Sequence, residues 1–452
     1  MRDLPYDTDD LICALATPWS ASALAVIRTS GKGSVEAVSR FFSRPKALLE
    51  ATGNTVHHGN LQTSTGIVLD EVVITVFRAP ASSTGQETAE ISCHGSLPGL
   101  RRILGTLTEG GFRPANPGEF TLRAFLNGKL DLTRAEAVQE VVMAKTERAQ
   151  ALALDRLSGS ICQRINTAKS KILDLVALMN IQLDYAEDDV ATVKIPFETL
   201  DEVERELKVL SASYRTGKIY QEGVKVALAG QTNAGKSSLF NLFLKEDRSI
   251  VSDEHGTTRD WLEAWVSLEG VPVRLIDTAG LRETSNKVEQ EGIRRSREMI
   301  DGCDVLLYLV DGVQGIDKND RDFLVGHAED ARLIVVHTKA DLVPIRAAQW
   351  LWVSATTGVG FSQLEAALKQ KVPGMGEGSA GTAVIDSLRQ KQLLDRAIGA
   401  LEQVRQGVQL SVPLDMIALD LKDALDALGE ITGEVTTTDV LDRMFSSFCV
   451  GK

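Results

Sequence analysis

Gly230-Gln231-Thr232-Asn233-Ala234-Gly235-Lys236-Ser237 fits G-x-x-x-x-G-K-[ST], the pattern of a loop that cradles phosphates. Val224-Lys225-Val226-Ala227-Leu228-Ala229 before it reads as a short buried strand, and Ser238-Leu239-Phe240-Asn241-Leu242-Phe243 after it reads as a helix. A turn poor in side chains lets backbone N–H groups approach phosphate oxygens, and the helix N-terminus behind it carries partial positive charge. Lys236 is expected at the β/γ-phosphates and Ser237 on Mg²⁺, with Ala234, Gly235 and Ser238 also against the nucleotide.

Further pieces follow in the order that a GTPase requires. Gly256-Thr257-Thr258-Arg259-Asp260 lies where a first switch loop belongs, and Thr258 there is expected to reach Mg²⁺ when a γ-phosphate is bound. Val271 to Ile276 reads as a strand ending in Asp277-Thr278-Ala279-Gly280, which sets an acid near Mg²⁺ and a glycine N–H near the γ-phosphate. Val305 to Val310 is the next strand, Leu333 to Val336 leads into Thr338-Lys339-Ala340-Asp341, and Ser354-Ala355 closes the series. The Asp341 carboxylate accepts from guanine N1–H and N2–H, which adenine does not offer, so the base is expected to be guanine; a buried acceptor left unpaired costs about 1–3 kcal/mol. The usual tetrapeptide begins with asparagine, and Thr338 lacks the amide that would bridge base and phosphate loop. Leu281 stands where small GTPases carry a water-orienting glutamine, so Glu283, Glu289 or Glu291 is expected to supply that group.

Around this core the chain reads as multidomain α/β plus all-α. Residues from about 10 to 118 look like a small mixed domain, with strands at Val72 to Phe77 and Ala89 to Cys93 and a helix from Leu97 to Glu109 whose Leu100, Ile103, Leu104 and Leu107 share a face. Residues 133–188 contain no proline and predict two or three long helices, 198–216 another, and 384–406, 412–428 and 437–447 three more. The simplest arrangement is a 1–120 N-terminal α/β domain, then a helical domain (121–217 and 376–452) interrupted by an inserted P-loop G domain (218–375) with a parallel-type sheet. At 452 residues there is chain for about three domains. A formal net charge of −13 argues against a general nucleic-acid binder and confines any RNA contact to a local patch or a shared one. Five scattered cysteines without a C-x-x-C pair predict a reducing, cytoplasmic setting, and neither a membrane span nor a signal peptide is expected.

Several stretches closely resemble the tRNA modification GTPase family MnmE (TrmE). Cys449-Val450-Gly451-Lys452 is similar to that family's C-terminal C-[IVL]-G-K signature. Phe120-Thr121-Leu122-Arg123-Ala124-Phe125-Leu126-Asn127-Gly128-Lys129-Leu130-Asp131-Leu132 is similar to its hinge between N-terminal and helical domains, and Asn233 and Gly256 to Asp260 also match. The resemblance implies a homodimer through the N-terminal domain, a bound tetrahydrofolate derivative (5-formyl- or 5,10-methylene-), and a partner, the flavoprotein MnmG (GidA), that uses FAD and NADH. It implies that together they place an aminomethyl-type (carboxymethylaminomethyl) group on C5 of the wobble uridine of certain tRNAs. It further implies GTP hydrolysis that needs K⁺ on Asn233, Ser252, Glu254 and Thr257, with Glu289 orienting water through a bridging water. Arg28, Glu90, Lys129 and Lys452 match the family's folate contacts, and Cys449 a cysteine proposed to act in the modification, where a neighbouring Lys452 would favour the thiolate. Trp19-Ser20-Ala21-Ser22-Ala23 departs from the family's glycine- and proline-rich segment, as Thr338 departs from its asparagine. The G-domain motifs by themselves also fit a GTPase switch in ribosome assembly or a nucleotide-gated scaffold; the folate-type residues and the C-terminal tail favour tRNA modification.

Overall fold

The computed structural model describes residues 8–184, 196–246, 262–277, 298–344, 347, 349–372 and 383–451. Its chain forms two compact units: Met1–Gln139 with Cys162–Ala177 and Leu414–Lys452, and Glu140–Ile161 with Leu178–Pro413.

The first unit begins with β1 (Ile12–Leu15), β2 (Ser22–Ser30), α1 (Ser34–Ser39), α2 (Pro45–Leu49), β3 (Thr55–Gln62), β4 (Val68–Phe77), β5 (Thr88–Gly95), α3 (Leu97–Glu109), β6 (Arg113–Pro114) and α4 (Glu119–Leu126). The strands lie in the order β3-β4-β5-β2-β1-β6, antiparallel except where β6 runs beside β1. Helices α1 and α3 pack on the sheet, and the core between them holds Ile27, Ile74, Ile91 and Val38. Leu100, Ile103 and Leu107 of α3 are buried as their spacing predicts, with Leu104 only half-buried and Thr106 taking its share of the face. Strand β3 carries His57, His58, Gly59 and Asn60 and has no apolar alternation to announce it; the ladder with β4 makes it a strand.

The proline-free stretch forms three helices, α5 (Leu132–Met143), α6 (Glu147–Ser158) and α7 (Ser160–Asp184). After it come α8 (Phe197–Ala212) and α9 (Tyr214–Glu222), two helices where the sequence predicts one ending near 216. Gly217 lets α9 lie on the backbone of Ile385, since a Cβ there would stand 2.1 Å from that carbonyl oxygen.

The second unit's sheet takes β7 (Val224–Gly230), then α10 (Lys236–Glu246), β8 (Leu262–Leu268), β9 (Val271–Asp277), β10 (Val305–Asp311), α11 (Lys318–Gly326), β11 (Leu333–Thr338), β12 (Leu351–Trp352) and α12 (Phe361–Lys371). Its order is β12-β11-β10-β7-β9-β8. All neighbours are parallel except β8, an antiparallel edge strand that the motif reading missed. Strands β7, β9 and β10 are apolar on both faces, as burial on both sides requires. Because β9 lies on one side of β7 and β10 on the other, the carboxyl end of β7 is a switch point, the usual place for a ligand in such sheets.

Three helices close the chain: α13 (Leu388–Gln409), α14 (Leu414–Thr432) and α15 (Thr438–Phe445). Helices α8 and α13, which flank the nucleotide-binding segment in sequence, pack on each other. Ser211 donates to Asp395 at 2.6 Å, and Lys208 reaches Glu402 at 2.9 Å. Arg156 of α6 pairs with Glu140 at 2.6 Å and Asp386 at 2.7 Å and donates to the Val384 carbonyl at 3.0 Å. In the first unit Leu122, Leu132 and Ala135 pack with Leu441, Phe445 and Phe448, so α15 closes over α4 and α5.

Candidate functional site

The phosphate loop joins β7 to α10. Gly230 is required where it stands: its φ is 136°, and a Cβ would sit 2.4 Å from the Leu309 carbonyl oxygen on β10. Gly235 has φ 90°, and Asn233 itself sits in the left-handed region at φ 65°, exposed at the loop's tip. Lys236, the first residue of α10, is 7 % exposed and donates to the carbonyls of Gly230 at 2.7 Å and Gln231 at 2.6 Å. Its ammonium therefore lies across the mouth of the loop. Ser237 follows, and its hydroxyl is 3.4 Å from Oδ2 of Asp277 at the end of β9. Asp277 is buried. A hydroxyl and a carboxylate side by side are the hard oxygen donors that Mg²⁺ takes from protein, the rest coming from phosphate and water.

The base end is built from β10, β11 and the loop after β12. Thr338 is buried and its hydroxyl lies 2.8 Å from the Ala234 carbonyl and 3.2 Å from that of Val310. Threonine thus makes by its hydroxyl the tie to the phosphate loop that the sequence reading denied it. Asp341, exposed on the short 3-10 turn Ala340–Leu342, accepts at Oδ1 from the Ser354 hydroxyl at 2.6 Å. Ser354 is fully buried and its oxygen accepts from the Thr357 N–H at 3.1 Å. Ala355 is half-buried beside it, and Ser238 is exposed on the first turn of α10.

Removing the Thr338 tie is a measurable change. Thr338→Val keeps the shape but removes the hydroxyl that reaches the carbonyls of Ala234 and Val310. GDP binding, read by calorimetry, is expected to weaken about tenfold. Thr338→Ser, which keeps the hydroxyl, is expected to bind nearly as well as the parent. An unchanged Kd in Thr338→Val would remove the hydroxyl from the site.

Sequence reasoning missed two features here. Asp311, at the end of β10, lies 2.6 Å from Nζ of Lys339. His337 is buried between Trp350, stacked at 4.3 Å, and Trp352 at 4.8 Å, and burial lowers its pKa. Neither carries a motif; both come from the register of β10, β11 and β12.

The N-terminal sheet gathers a second set. Arg28 on β2 and Glu90 on β5 are register partners, and Arg28 Nε and Nη2 both lie 2.9 Å from Glu90 Oε1. Strand alternation sends them to the face opposite the buried Ile27 and Ile91. Arg28 also donates to the Gly451 carbonyl at 3.3 Å and stands 5.7 Å over the Phe120 ring. Gly451 packs against Leu15, the Cys449 carbonyl accepts from the Gly118 N–H at 3.4 Å, and Cys449 is exposed. The Lys129 ammonium donates to the Pro80 carbonyl at 3.1 Å. A partly exposed carboxylate–guanidinium pair over an aromatic ring is chemistry that suits a pterin and its glutamate tail. Outside the described residues lie Ser252, Glu254, Thr257, Thr258, Thr278, Ala279, Gly280, Leu281, Glu283, Glu289, Glu291 and Lys452.

Comparison with known proteins supplies the family. A family model described as the MnmE helical domain matches residues 132–449, and one described as the GTP-binding protein TrmE N-terminus matches residues 11–129. The tRNA modification GTPase MnmE of Borrelia recurrentis is 43 % identical over 461 residues, which cover 99 % of this chain and 99 % of that one. Its counterpart in Treponema denticola is 42 % identical over 474 residues, 99 % of each chain, and that in Carboxydothermus hydrogenoformans 37 % over 460 residues, 98 % of this chain and all of that one. Among solved structures, Era of Aquifex aeolicus bound to GDP and aluminium fluoride overlays 39 % of this chain and 66 % of its own, at 21 % identity and a TM-score of 0.28, too low to add to the assignment. The end-to-end likeness to these relatives, with the two models taking in nearly the whole chain, means that the protein belongs to the MnmE family of tRNA modification GTPases.

Proposed function

We propose that this chain hydrolyses GTP to drive the addition of an aminomethyl-type (carboxymethylaminomethyl) group to C5 of the wobble uridine of certain tRNAs, working as a homodimer with a flavin- and NADH-using partner of the MnmG type. The carrying observation is the carboxyl edge of one sheet, where Lys236, Ser237 and Asp277 gather at the phosphate loop, Thr338 ties to that loop through Ala234, and Asp341 is held by Ser354. That edge reads a guanine base and a polyphosphate at the same time. In this reading 1–120 dimerises and takes the folate, 121–217 and 376–452 form the helical domain, and 218–375 is the inserted G domain.

In the hydrolytic half, Lys236 and the loop amides bind the phosphates, and Ser237, Asp277 and Thr258 would hold Mg²⁺, which would supply positive charge to neutralise the phosphates. Asn233, with Ser252, Glu254 and Thr257, would hold K⁺, which supplies positive charge where other GTPases use an arginine finger. Asn233 fits that duty, being an exposed side-chain carbonyl at the tip of the phosphate loop. Glu289 orients the attacking water. Glu289→Ala is therefore expected to leave GTP binding near normal and to lower kcat by about a hundredfold or more, since the group acts mainly in the transition state. Unchanged turnover would remove Glu289 from the mechanism, and equal rates in K⁺ and Na⁺ would remove the cation.

In the modifying half, Glu90 would accept from the pterin N–H edge, and Arg28, Lys129 and Lys452 would meet the folate's anionic parts. A bound tetrahydrofolate supplies the one-carbon unit. Cys449 would act as a thiol in the modification. The test is mass spectrometry of tRNA nucleosides from cells with and without this gene. Loss of a C5-aminomethyl-type uridine supports the reading and identifies the group; unchanged wobble uridines overturn it and leave a GTPase whose output lies elsewhere, ribosome assembly being the first alternative to test.

A further inference from the structure

Asp311 has no role in the reading so far, yet its side chain is fixed on three sides. It ends β10 directly beside Thr338 in the β10–β11 register. Oδ1 accepts from the N–H groups of Val313 at 2.9 Å and Gln314 at 3.4 Å, so the turn that follows holds the carboxylate still. Oδ2 lies 2.6 Å from Nζ of Lys339, and the Asp311 side chain is 10 % exposed. Burial works against its charge, but the Lys339 ammonium and the two N–H groups outweigh it and keep the carboxyl below the usual carboxylate range.

Lys339 is itself in an uncommon state, left-handed at φ 56° and ψ 38°. That bend parts its neighbours: Thr338 turns to the phosphate loop, and Asp341 turns to Ser354. Lysine carries its ammonium on a flexible four-carbon stem that is free to seek a neighbouring carboxylate. An ammonium seated on Asp341 would occupy the acceptor lone pairs that guanine N1–H and N2–H need. Instead the ammonium goes to Asp311, and among the described residues Asp341 receives only the neutral Ser354 hydroxyl.

We infer that Asp311 is a positioning residue for guanine recognition: it captures the Lys339 ammonium and so leaves the Asp341 carboxylate open to the base. The inference deepens the nucleotide-site reading and rests on it. Asp311 acts only through Lys339.

The experiment measures Kd for GDP, IDP and ADP on the full chain carrying Asp311→Asn, Lys339→Met or both. IDP lacks the 2-amino group and so reads one of the two hydrogen bonds to Asp341. In Asp311→Asn the freed ammonium is expected to weaken GDP binding about tenfold or more and to narrow the preference for GDP over IDP. In Lys339→Met no ammonium remains to be held, so that preference stays at the parent's value even as overall affinity falls. The double variant is expected to lose no more than Lys339→Met alone, because Asp311 has nothing left to hold. Losses that multiply, or a folded Asp311→Asn with the parent's GDP affinity, would overturn the inference. Should Asp311→Asn fail to fold, Lys339→Met decides: a collapsed GDP-over-IDP preference there would mean that Lys339 reads the base directly. A parent chain that binds ADP as well as GDP would overturn the site reading itself.

Discussion

Asp341→Asn is expected to weaken GDP binding by about a thousandfold and to confer binding of xanthosine diphosphate. The magnitude follows from two hydrogen bonds, N1–H and N2–H of guanine to one carboxylate, each worth about 1.5–3 kcal/mol when the acceptor is charged. The direction of the new preference follows from Ser354. Its oxygen already accepts the Thr357 N–H, and its proton points at Oδ1 of Asp341 at 2.6 Å. In the variant that proton still demands an acceptor, so the amide oxygen of the new asparagine takes the Oδ1 position and its NH₂ takes the other. An NH₂ group there faces the 2-amino group of guanine donor to donor. Xanthine carries a carbonyl at that position and accepts from it, while its N1–H still finds the amide oxygen. Competition binding with GDP and XDP reads both effects. A variant that loses both ligands equally would mean that Asp341 supports the loop and does not read the base.

The same pair of residues shows how far the sequence carries. Spacing alone locates Lys236, Ser237, Asp277, Thr338 and Asp341, because each belongs to a motif whose backbone geometry is dictated by the phosphates and the base. The strands that hold them were equally legible, since strands buried on both faces leave unbroken apolar runs such as Val305 to Val310. The edge strand β8 was not, because Leu262–Leu268 mixes Glu263, Trp265 and Ser267 and is a strand only beside β9. The Thr338 tie is hidden for a related reason: the sequence shows that its side chain has no amide, whereas the register of β11 against β10 brings its hydroxyl to Ala234. Asp311 and the Arg28–Glu90 pair are likewise products of register, joining residues 28 and 62 positions apart. Local pattern cannot show such pairs, and a family resemblance named the second but not its partner-to-partner contact.

The second large effect concerns the hinge stretch, where Arg123 is buried completely. It donates to Glu119 at 2.8 Å, to the Asp10 carbonyl at 2.7 Å and to Gln86 at 3.2 Å, and pairs closely with the Asp10 carboxylate. Arg113 joins the cluster at 2.8 Å from Asp10 and 2.7 Å from Glu119. Glu119 is itself buried, so Arg123→Met leaves a buried carboxylate with one cation fewer and breaks the tie between α4 and the segment before β1. Breaking a buried ion pair from one side costs about 3–5 kcal/mol. For a cooperative unit of this size that lowers Tm by about 10 °C, read by calorimetry. The pH dependence has a definite sign. Burial alone would raise the carboxyl pKa values of Asp10 and Glu119, but Arg113 and Arg123, with the Asn116 N–H on Glu119, outweigh it and hold both below their ordinary 3.8 and 4.5. A depressed carboxylate stabilises the fold fully above its ordinary pKa and loses that contribution as pH falls through the lower, folded value. The gap between parent and variant is therefore expected to be constant above about pH 5 and to narrow as the medium is acidified below about pH 4. A gap independent of pH down to acid unfolding would mean that Arg123 acts by packing its stem, and that the two carboxylates take their stability from Arg113 alone.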